Sequence, residues 1–242
     1  MYLLDSNLYE KTRHIFEKRL DFEMPVKTVI NNKIGRVYVD DIKKPKSGYI
    51  ELDYGFYYFG GKYNQNFICD VINHILTDIV PFQTLHNFAF IFADSDILKT
   101  EIIKKLNGIH NKYETRCYYV LNAEKFASER FDNLFLPDDY ELKIDADNSK
   151  VTVLYNNVEM GYCGSGGTDM KTMECDVFLN EEHRNRKIGT LMCAKFIESN
   201  ILQGYDWFTW GCWEANIPSC KLAEKLGFEK HYEDKAIIAT VK

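Results

Sequence analysis

Basic residues directly before a glycine form the stretch of the sequence best suited to chemistry. Arg184, Arg186 and Lys187 precede Gly189, and an apolar helical pattern begins at Ile188. The first N–H groups of a helix have no partner within the helix, and its dipole places partial positive charge at that end. Because side chains and backbone favour an anion at the same place, the stretch predicts a site for a phosphate-bearing ligand.

Two carboxylates precede this turn. Glu174 and Asp176 lie in a largely apolar run that predicts a strand through Leu179. Successive side chains of a strand point to opposite faces, so the two acids are expected to share one face. A carboxylate placed beside a ligand site can accept a proton, although it can also simply pair with a neighbouring cation.

A strand–helix–strand–helix unit is expected to position these groups. The run 175–179 predicts the first strand, and the charged turn 180–187 leads into a helix with apolar residues at helical spacing. The run 207–210 predicts a second strand. A second helix is expected to begin near Asn216 and to end at 226–228, where a glycine follows its last apolar residue.

Composition excludes several classes of protein. The chain has 242 residues, 45% of them hydrophobic, with 30 basic and 36 acidic residues and a formal net charge of -6. A net acidic chain argues against a nucleic-acid partner. No apolar run approaches the ~20 residues of a membrane helix, and residues 1–19 do not resemble a signal peptide. We therefore expect no nucleic acid and no membrane as partner.

The seven cysteines predict reduced, buried thiols. They are scattered without CxxC spacing, which favours a cytoplasmic protein. No metal is expected, because neither the cysteines nor the histidines are paired at ligand spacing. Cys163 and Cys175 stay open as acyl-carrying nucleophiles, although no histidine adjoins either of them in the sequence.

The first half of the chain also alternates strands and helices. The pattern predicts helices over 5–20, 66–79 and 94–106, single strands at 49–59, 88–92 and 113–121, and a hairpin of 26–30 with 36–39. In the second half, a hairpin is expected to turn at Asn156–Asn157, and Gly164–Gly167 to form a flexible loop. A charged linker over 122–137 predicts an N-terminal α/β domain at residues 1–125 and a C-terminal domain at 126–242.

The second half resembles the GNAT superfamily of acyl-CoA-dependent N-acetyltransferases. The resemblance is carried by Arg184-Asn185-Arg186-Lys187-Ile188-Gly189, by Thr190-Leu191, by Asn216 and Ser219, and by Leu222-Ala223-Glu224-Lys225-Leu226-Gly227-Phe228. With Leu136-Pro137 and Trp210, the pattern is most similar to the zwittermicin-resistance-type group, whose members carry an extra N-terminal domain. The resemblance covers Leu136 to Lys242, whereas the first half agrees in length and element order and is compatible with a degenerate copy of the fold.

The resemblance implies a fold, a co-substrate and a reaction. The fold is α/β (α+β), a mixed central sheet flanked by helices, and the co-substrate is acetyl-CoA. Val177, Phe178 and Leu179 would bind the pantetheine arm through backbone groups, Asn216 would reach the same region, and Ser219 lies one turn further along. The turn Arg184, Asn185, Arg186, Lys187, Ile188, Gly189 and Thr190 would wrap the pyrophosphate. The reaction would be direct acetyl transfer to a primary amine of a small molecule.

Two positions depart from the family pattern. Lys187 stands where the first glycine is usual, so it is expected either to hold an ordinary backbone conformation or to point its side chain away. Ala223 stands where a tyrosine often serves as the acid, while Glu174 is expected to act as the base. These departures leave a second interpretation open, a non-catalytic acyl-CoA-binding or interaction module. A homodimer is compatible with either.

Four aromatic or imidazole positions, His183 and the three tryptophans, have alternative explanations. His183 is expected to be a packing residue in the turn. The tryptophans of the 207–213 run could line an acceptor pocket, but alternation places Trp207 and Thr209 on one face and Phe208 and Trp210 on the other. Packing in the core is the default expectation for these tryptophans.

Overall fold

The chain forms two compact units in a computed structural model that describes residues 1–20, 23–79, 88–106, 110–126 and 130–240. The first unit is Met1–Arg116 with Glu233–Lys242, and the second is Cys117–Tyr232. These units are defined by proximity within the fold. The division into domains at residues 125 and 126 stays a prediction.

The first unit consists of short strands and helices in alternation. Its elements are β1 (Tyr2–Leu3), α1 (Arg13–Leu20), α2 (Met24–Asn32), β2 (Arg36–Val39), β3 (Ser47–Glu51), β4 (Phe56–Gly61), α3 (Gln65–His74), β5 (Phe88–Ala93) and α4 (Asp96–Lys105), with a 3-10 helix at Ser6–Thr12 and a π-helical turn at Ile75–Ile79. The strands are antiparallel from β1 to β4, and β4 pairs with β5 in parallel. The single strand predicted at 49–59 is wrong, because the chain turns at Gly55, which has a φ of 86°, and β3 and β4 form a hairpin there. The predicted helix stop at residues 107–108 lies outside the described residues.

The strand predicted at residues 26–30 is wrong, because these residues lie in α2. Pro25 sits in the first turn of this helix, where a missing N–H and a fixed φ are tolerated. Val26, Val29 and Ile30 are buried on one side of α2 at helical spacing. Burial of that face outweighs the preference of valine and isoleucine for strands.

The second unit contains the predicted strand–helix–strand–helix arrangement. Its elements, in chain order after β6 (His110–Asn122), are β7 (Tyr140–Ile144), β8 (Lys150–Tyr155), β9 (Val158–Asp169), β10 (Thr172–Leu179), α5 (Ile188–Ile201), β11 (Trp207–Trp213), α6 (Ile217–Leu226) and β12 (Glu229–Thr240). The strand order in this unit is β6-β11-β10-β9-β8-β7. β10 and β11 are parallel, whereas β7 to β10 are antiparallel. The predicted fold class is confirmed.

The end of β12 belongs to the first unit and had no counterpart among the predicted strands. There it pairs antiparallel with β5, with Ile237 opposite Ile91 and Ala239 opposite Ala89. All four residues are buried. The pairing of β12 with β5 joins residues that are far apart in the sequence, and local sequence patterns do not encode such contacts.

The hairpin of β8 and β9 turns at Asn156–Asn157, as predicted, and both asparagines have positive φ. The loop predicted at Gly164–Gly167 is wrong, since this stretch continues β9 beside β10. The pairing register shifts between Glu174 and Cys175, and the shift leaves Gly166 as the extra residue of β9. Small residues here produce a bulge in the strand.

The core of the second unit lies between α5 and one face of the sheet. Met192 and Phe196 of α5 are buried together with Phe208 and Trp210 of β11. Trp210 packs edge-on against Phe228, with ring centroids 5.6 Å apart. The alternation predicted for the tryptophan strand is therefore correct, because Trp207 on the other face is 45% exposed. Among the described residues, no helix is long and apolar enough to cross a membrane.

Candidate active site

The parallel pairing of β10 with β11 ends after three residue pairs. The ladder pairs Thr172 with Trp207, Met173 with Phe208 and Glu174 with Thr209, and it ends there within the described residues. β10 nevertheless continues through Leu179. In α/β folds, ligands bind beyond the carboxyl ends of parallel strands, and the diverging edges make room there for an extended chain. The predicted pantetheine-binding residues Val177, Phe178 and Leu179 all lie on the part of β10 beyond the ladder.

The helix that follows β10 begins without a side-chain cap. Lys187 is the N-cap residue of α5, and its side chain makes no capping hydrogen bond. The first hydrogen bond of the helix runs from the N–H of Leu191 to the carbonyl of Lys187, 3.1 Å. The N–H groups of Ile188, Gly189 and Thr190 precede it and lie outside the i to i−4 pattern. Ile188 and Thr190 are buried, so their side chains pack within the unit while their N–H groups belong to the first turn of α5.

Lys187 occupies the left-handed backbone region, with φ 64° and ψ 0°. An ordinary conformation, one of the two expected alternatives, is therefore wrong. Its side chain is exposed to solvent. Asn185 also has positive φ, 62°. A left-handed residue directly before a helical one turns successive N–H groups to the same side, which is the backbone form of an anion-binding nest. Lys187 thus holds a backbone conformation that glycine adopts more readily than other residues.

The two arginines of the turn tie it to its surroundings. Arg184 donates from Nε to the carbonyl of Leu179, 2.9 Å, and its Nη1 lies 3.5 Å from Glu181. Arg186 donates from Nη1 to the hydroxyl of Tyr140, 3.3 Å. Both guanidinium groups are exposed enough to contact a ligand as well. Their positive charge is added to that of the helix dipole at the same turn.

His183 is a packing residue, as predicted. Its ring is buried, with Nδ1 2.6 Å from the hydroxyl of Tyr140 and the ring edge-on to that of Tyr140. Tyr155 lies on its other side, with ring centroids 5.1 Å apart. These contacts hold the turn against β7 and β8.

The space around Gly189 would accommodate a side chain in the free protein. A Cβ added to Gly189 would lie 3.8 Å from Leu179 and 3.8 Å from Leu222, which is ordinary van der Waals distance. Its φ is not among the positive values, so neither packing nor backbone geometry within the described residues demands a glycine. A glycine in the first turn of a helix costs stability relative to alanine. The fold of the free protein therefore does not explain the glycine at position 189.

Asn216 and Ser219 hold the start of α6. Asn216 is its N-cap and accepts a hydrogen bond from the N–H of Ser219, 3.3 Å. The hydroxyl of Ser219 accepts from the indole nitrogen of Trp210, 3.0 Å. Ser219 therefore bonds to the core of its own unit, whereas Asn216 is exposed beside it. The contact of Gly189 with Leu222 places α6 next to the start of α5.

One face of this sheet, called the polar face here, carries the acids Glu174 and Asp176 with Tyr162 and Thr209. A Cβ on Gly166 would lie 3.3 Å from Oε2 of Glu174 and 3.5 Å from Cβ of Asp176, so the two acids share a face as predicted. Tyr162 donates its hydroxyl to Asp176, 2.9 Å. Asp176 is thus held by a hydrogen bond from Tyr162. Glu174 belongs to the last residue pair between β10 and β11, where the two strands begin to diverge.

Tyr162 was not among the predicted site residues, although alternation from Gly164 along β9 could have pointed to it. Burial, and then the hydrogen bond to Asp176, raises the pKa of Tyr162 to about 12. A phenol with that pKa is a weaker acid than a thiol with a pKa near 8.5. Tyr162 is therefore also a weaker acid than an ordinary tyrosine, whose pKa is near 10.

Ala223 has no exposed surface and lies in the core with Leu226 and Phe228. A tyrosine there would need space that the core does not have, since interiors are close-packed. Cys163 is fully buried too, and burial raises the pKa of its thiol well above the ordinary value. Since the thiolate is the nucleophilic form, Cys163 is not suited to carry an acyl group. Cys175 is also buried in the core.

Comparison with known proteins agrees with this geometry. The family profile described as GNAT acetyltransferase matches residues 13–159 and 151–237. A GCN5-related N-acetyltransferase-like protein from Streptococcus suis has a similar structure, with a TM-score of 0.70 and 18% identity over 95% of this chain and 98% of that one. A GCN5-related N-acetyltransferase from Sphaerobacter thermophilus gives 0.67 and 6% over 98% and 94%. A tandem GNAT protein from the clavulanic acid biosynthesis pathway gives 0.57 and 10% over 85% and 82%.

No curated protein matches the chain in sequence. The matched profile and the fold together define an acyltransferase that takes its acyl group from an acyl-CoA. The chain belongs to the GNAT acetyltransferase family, whose members use acetyl-CoA as co-substrate and act on small-molecule or protein acceptors. The predicted family and enzyme class are confirmed.

Proposed function

We propose that this protein transfers an acetyl group from acetyl-CoA to a primary amine of a small molecule by direct transfer. The observation that carries the proposal is the position of Glu174. Its carboxylate stands on the last rung of the β10–β11 ladder, and the uncapped start of α5 follows the same strand. One strand and the turn that follows it would thus supply both the anion-binding site and the proton acceptor.

The pyrophosphate would be bound by the turn that begins α5. Backbone N–H groups of Ile188, Gly189 and Thr190 would donate to it, with Asn185 and the cationic side chains of the turn around them. The pantetheine arm would lie against Val177, Phe178 and Leu179, with Asn216 nearby. The hydroxyl of Ser219 already accepts a hydrogen bond from Trp210, so Ser219 would position the start of α6 beside the site.

When bound, the thioester supplies an activated acyl carbon. Glu174 would take a proton from the acceptor's ammonium and pass it to solvent, which frees the nitrogen lone pair. The neutral amine would then attack, the N–C bond would form as the C–S bond breaks, and the nitrogen would lose its extra proton to Glu174 or to solvent. The departing thiolate has a pKa near 8.5, so solvent can protonate it and no tyrosine is needed at position 223. Orientation of the two substrates would supply much of the rate.

Further features belong to the same proposal. The first half would be a second, degenerate copy of the fold, since β4-α3-β5 repeats the parallel strand–helix–strand arrangement of β10-α5-β11. Residues of both halves lie within the matched profile. Membership of the zwittermicin-resistance-type group and a homodimer are proposed with it. All seven cysteines are free thiols, which supports a cytoplasmic location.

The test has two stages. Thermal unfolding with acetyl-CoA or CoA should show a rise in Tm, because a ligand that binds only the native state stabilises it. Thiol release with a panel of primary amines should then show turnover. A Tm rise without turnover on any amine would favour the non-catalytic acyl-CoA-binding module. No Tm rise at millimolar ligand would exclude both functions.

A further inference from the structure

A buried hydroxyl on the polar face has no hydrogen-bond partner among the described residues. Thr209 is 6% exposed, and its Oγ1 makes no hydrogen bond. A hydroxyl removed from water without a new partner costs free energy, so native proteins contain few of them. Valine has nearly the same shape and would avoid this cost. The hydroxyl therefore needs a role beyond packing.

The sheet places this hydroxyl beside the proposed base. Thr209 is directly opposite Glu174 in the parallel ladder, and directly opposite residues project from the same face. The preceding rung confirms the orientation, because Met173 and Phe208 are both buried in the core on the other face. Glu174 and Thr209 are thus neighbours at the point where β10 and β11 diverge.

The distance between the strands suits one small polar atom held by both side chains. Neighbouring strands lie ~4.8 Å apart. Two hydrogen bonds of ~2.9 Å that share one atom span up to ~5.8 Å. Gly166 adds no side chain on the other side of Glu174, where even a Cβ would lie 3.3 Å from Oε2. A glycine at position 166 therefore keeps a side chain from crowding this carboxylate.

We propose that Thr209 and Glu174 together bind the nitrogen of the acceptor amine. One N–H would donate to the carboxylate of Glu174, and a second would donate to Oγ1 of Thr209. The lone pair of the nitrogen is then left for the acyl carbon. A neutral primary amine has two N–H groups and satisfies both oxygens, whereas a neutral secondary amine or an alcohol satisfies one. Thr209 is thus a specificity-determining residue for primary amines, an assignment that rests on the proposed transferase function.

The test compares Thr209→Val with Thr209→Ser. The valine variant removes the hydroxyl and keeps the shape, while the serine variant keeps the hydroxyl. Thr152→Val is the matched control, because Thr152 is also buried in a strand of this unit and β8 is separated from β10 by β9. For each variant we would measure the ligand-free Tm, the Tm rise with acetyl-CoA, and kcat/KM for a primary amine and its N-methyl analogue.

We expect Thr209→Val to have an equal or higher ligand-free Tm and an unchanged Tm rise with acetyl-CoA. Its kcat/KM for the primary amine should fall at least tenfold, mainly through KM, and its preference over the N-methyl analogue should largely disappear. Thr209→Ser and Thr152→Val should keep the wild-type kcat/KM for the primary amine and the wild-type preference over the N-methyl analogue. In a crystal structure with the amine and CoA, the amine nitrogen should lie within hydrogen-bond distance of Oγ1.

Two results would overturn the assignment while leaving the proposed function intact. One is an unchanged kcat/KM and selectivity in Thr209→Val. The other is a lower ligand-free Tm that serine restores, which would mean that the hydroxyl has a structural partner. If the wild-type enzyme binds acetyl-CoA and turns over no primary amine, the proposed function itself is wrong, and this assignment is wrong with it.

Discussion

The indole nitrogen of Trp210 donates a 3.0 Å hydrogen bond to the hydroxyl of Ser219. This bond joins β11 to the first turn of α6, which Asn216 caps. Trp210 is buried, so its N–H has little access to water as a replacement acceptor. A residue that the sequence suggests for binding the co-substrate therefore stabilises the helix beside that site.

Ser219→Ala should destabilise the protein by about 1–3 kcal/mol, because it leaves the buried indole N–H of Trp210 without an acceptor. Denaturant unfolding would measure the change. A double-mutant cycle with Trp210→Phe should give a coupling of about 1 kcal/mol between the two positions. Additive losses would mean that the bond contributes nothing to stability, and a lost Tm rise with acetyl-CoA would instead favour a direct contact.

Two substitutions of Lys187 separate the effect of its left-handed backbone on stability from the effect of its positive charge. Lys187→Gly should relieve a left-handed conformation that costs a non-glycine residue about 1–2 kcal/mol, against an entropic cost of glycine of about 0.5–1 kcal/mol. The net effect on unfolding free energy should be zero to slightly stabilising. Lys187→Ala keeps the strained backbone without the ammonium.

The same pair tests the contact of Lys187 with phosphate. If the ammonium binds phosphate, both variants should weaken acetyl-CoA binding, and the loss should shrink at high salt because screening weakens exposed charge pairs. Calorimetric titration at two salt concentrations would measure it. Equal affinity of wild type and Lys187→Ala at low salt would show that the side chain points away from the ligand.

Gly189→Asp should raise or leave unchanged the stability of the free protein while it abolishes acetyl-CoA binding. An acidic residue in the first turn of α5 interacts favourably with the helix dipole, but it would repel a pyrophosphate at the same place. Thermal unfolding with and without acetyl-CoA measures both effects. Gly189→Ala is the comparison: its Cβ would meet its neighbours at 3.8 Å, so the free protein should tolerate it, and the Tm rise should fall by less than in the aspartate variant because no negative charge is added. Binding by the aspartate variant would place the pyrophosphate elsewhere.

Glu174→Gln should lower kcat/KM for a good amine acceptor by about 100-fold or more, the usual contribution of a general base. The Tm rise with acetyl-CoA should persist, because the carboxylate is not part of the pyrophosphate turn. Asp176→Asn is the matched control on the same face and should have a smaller effect, since Asp176 is engaged by Tyr162. An unchanged kcat/KM in Glu174→Gln would remove the residue from the mechanism.

A buried glutamate in the first unit predicts a pH dependence of stability. Glu23 has no exposed surface, and burial raises its pKa from 4.5 to about 7 although the ion pair with Arg19 opposes the shift. Arg19 also pairs with Asp94 and Asp234, at 2.5 and 2.9 Å. A native pKa above the unfolded value means that the native state binds the proton more tightly, so this contribution is lost as the pH rises from about 4.5 through 7.

The unfolding free energy should therefore fall between pH 5 and pH 8, by at most about 3 kcal/mol from this group. Glu23→Gln should flatten the dependence and be the more stable protein at pH 8. Glu17→Gln is the control, because Glu17 is an exposed glutamate on α1. Urea unfolding across this range provides the measurement. Parallel curves for wild type and Glu23→Gln would show that Glu23 does not titrate there.

The sequence by itself determined the order of elements around the site. Apolar spacing, the cationic turn and the single Gly189 were enough to predict strand, anion-binding turn and helix, because each depends on residues within one or two turns of each other. Alternation alone also placed Glu174 beside Asp176 on one face, and Phe208 with Trp210 in the core. These are local properties of the chain.

Tertiary structure decided what local patterns do not encode. Residues 26–30 became helix because that arrangement buries Val26 and Val29, and the glycine run at 164–167 became strand because β10 supplied a partner. The left-handed backbone of Lys187 is imposed by its place between β10 and α5. The pairing of Thr209 with Glu174 joins residues 35 positions apart in sequence, and only the register of two parallel strands could bring them together.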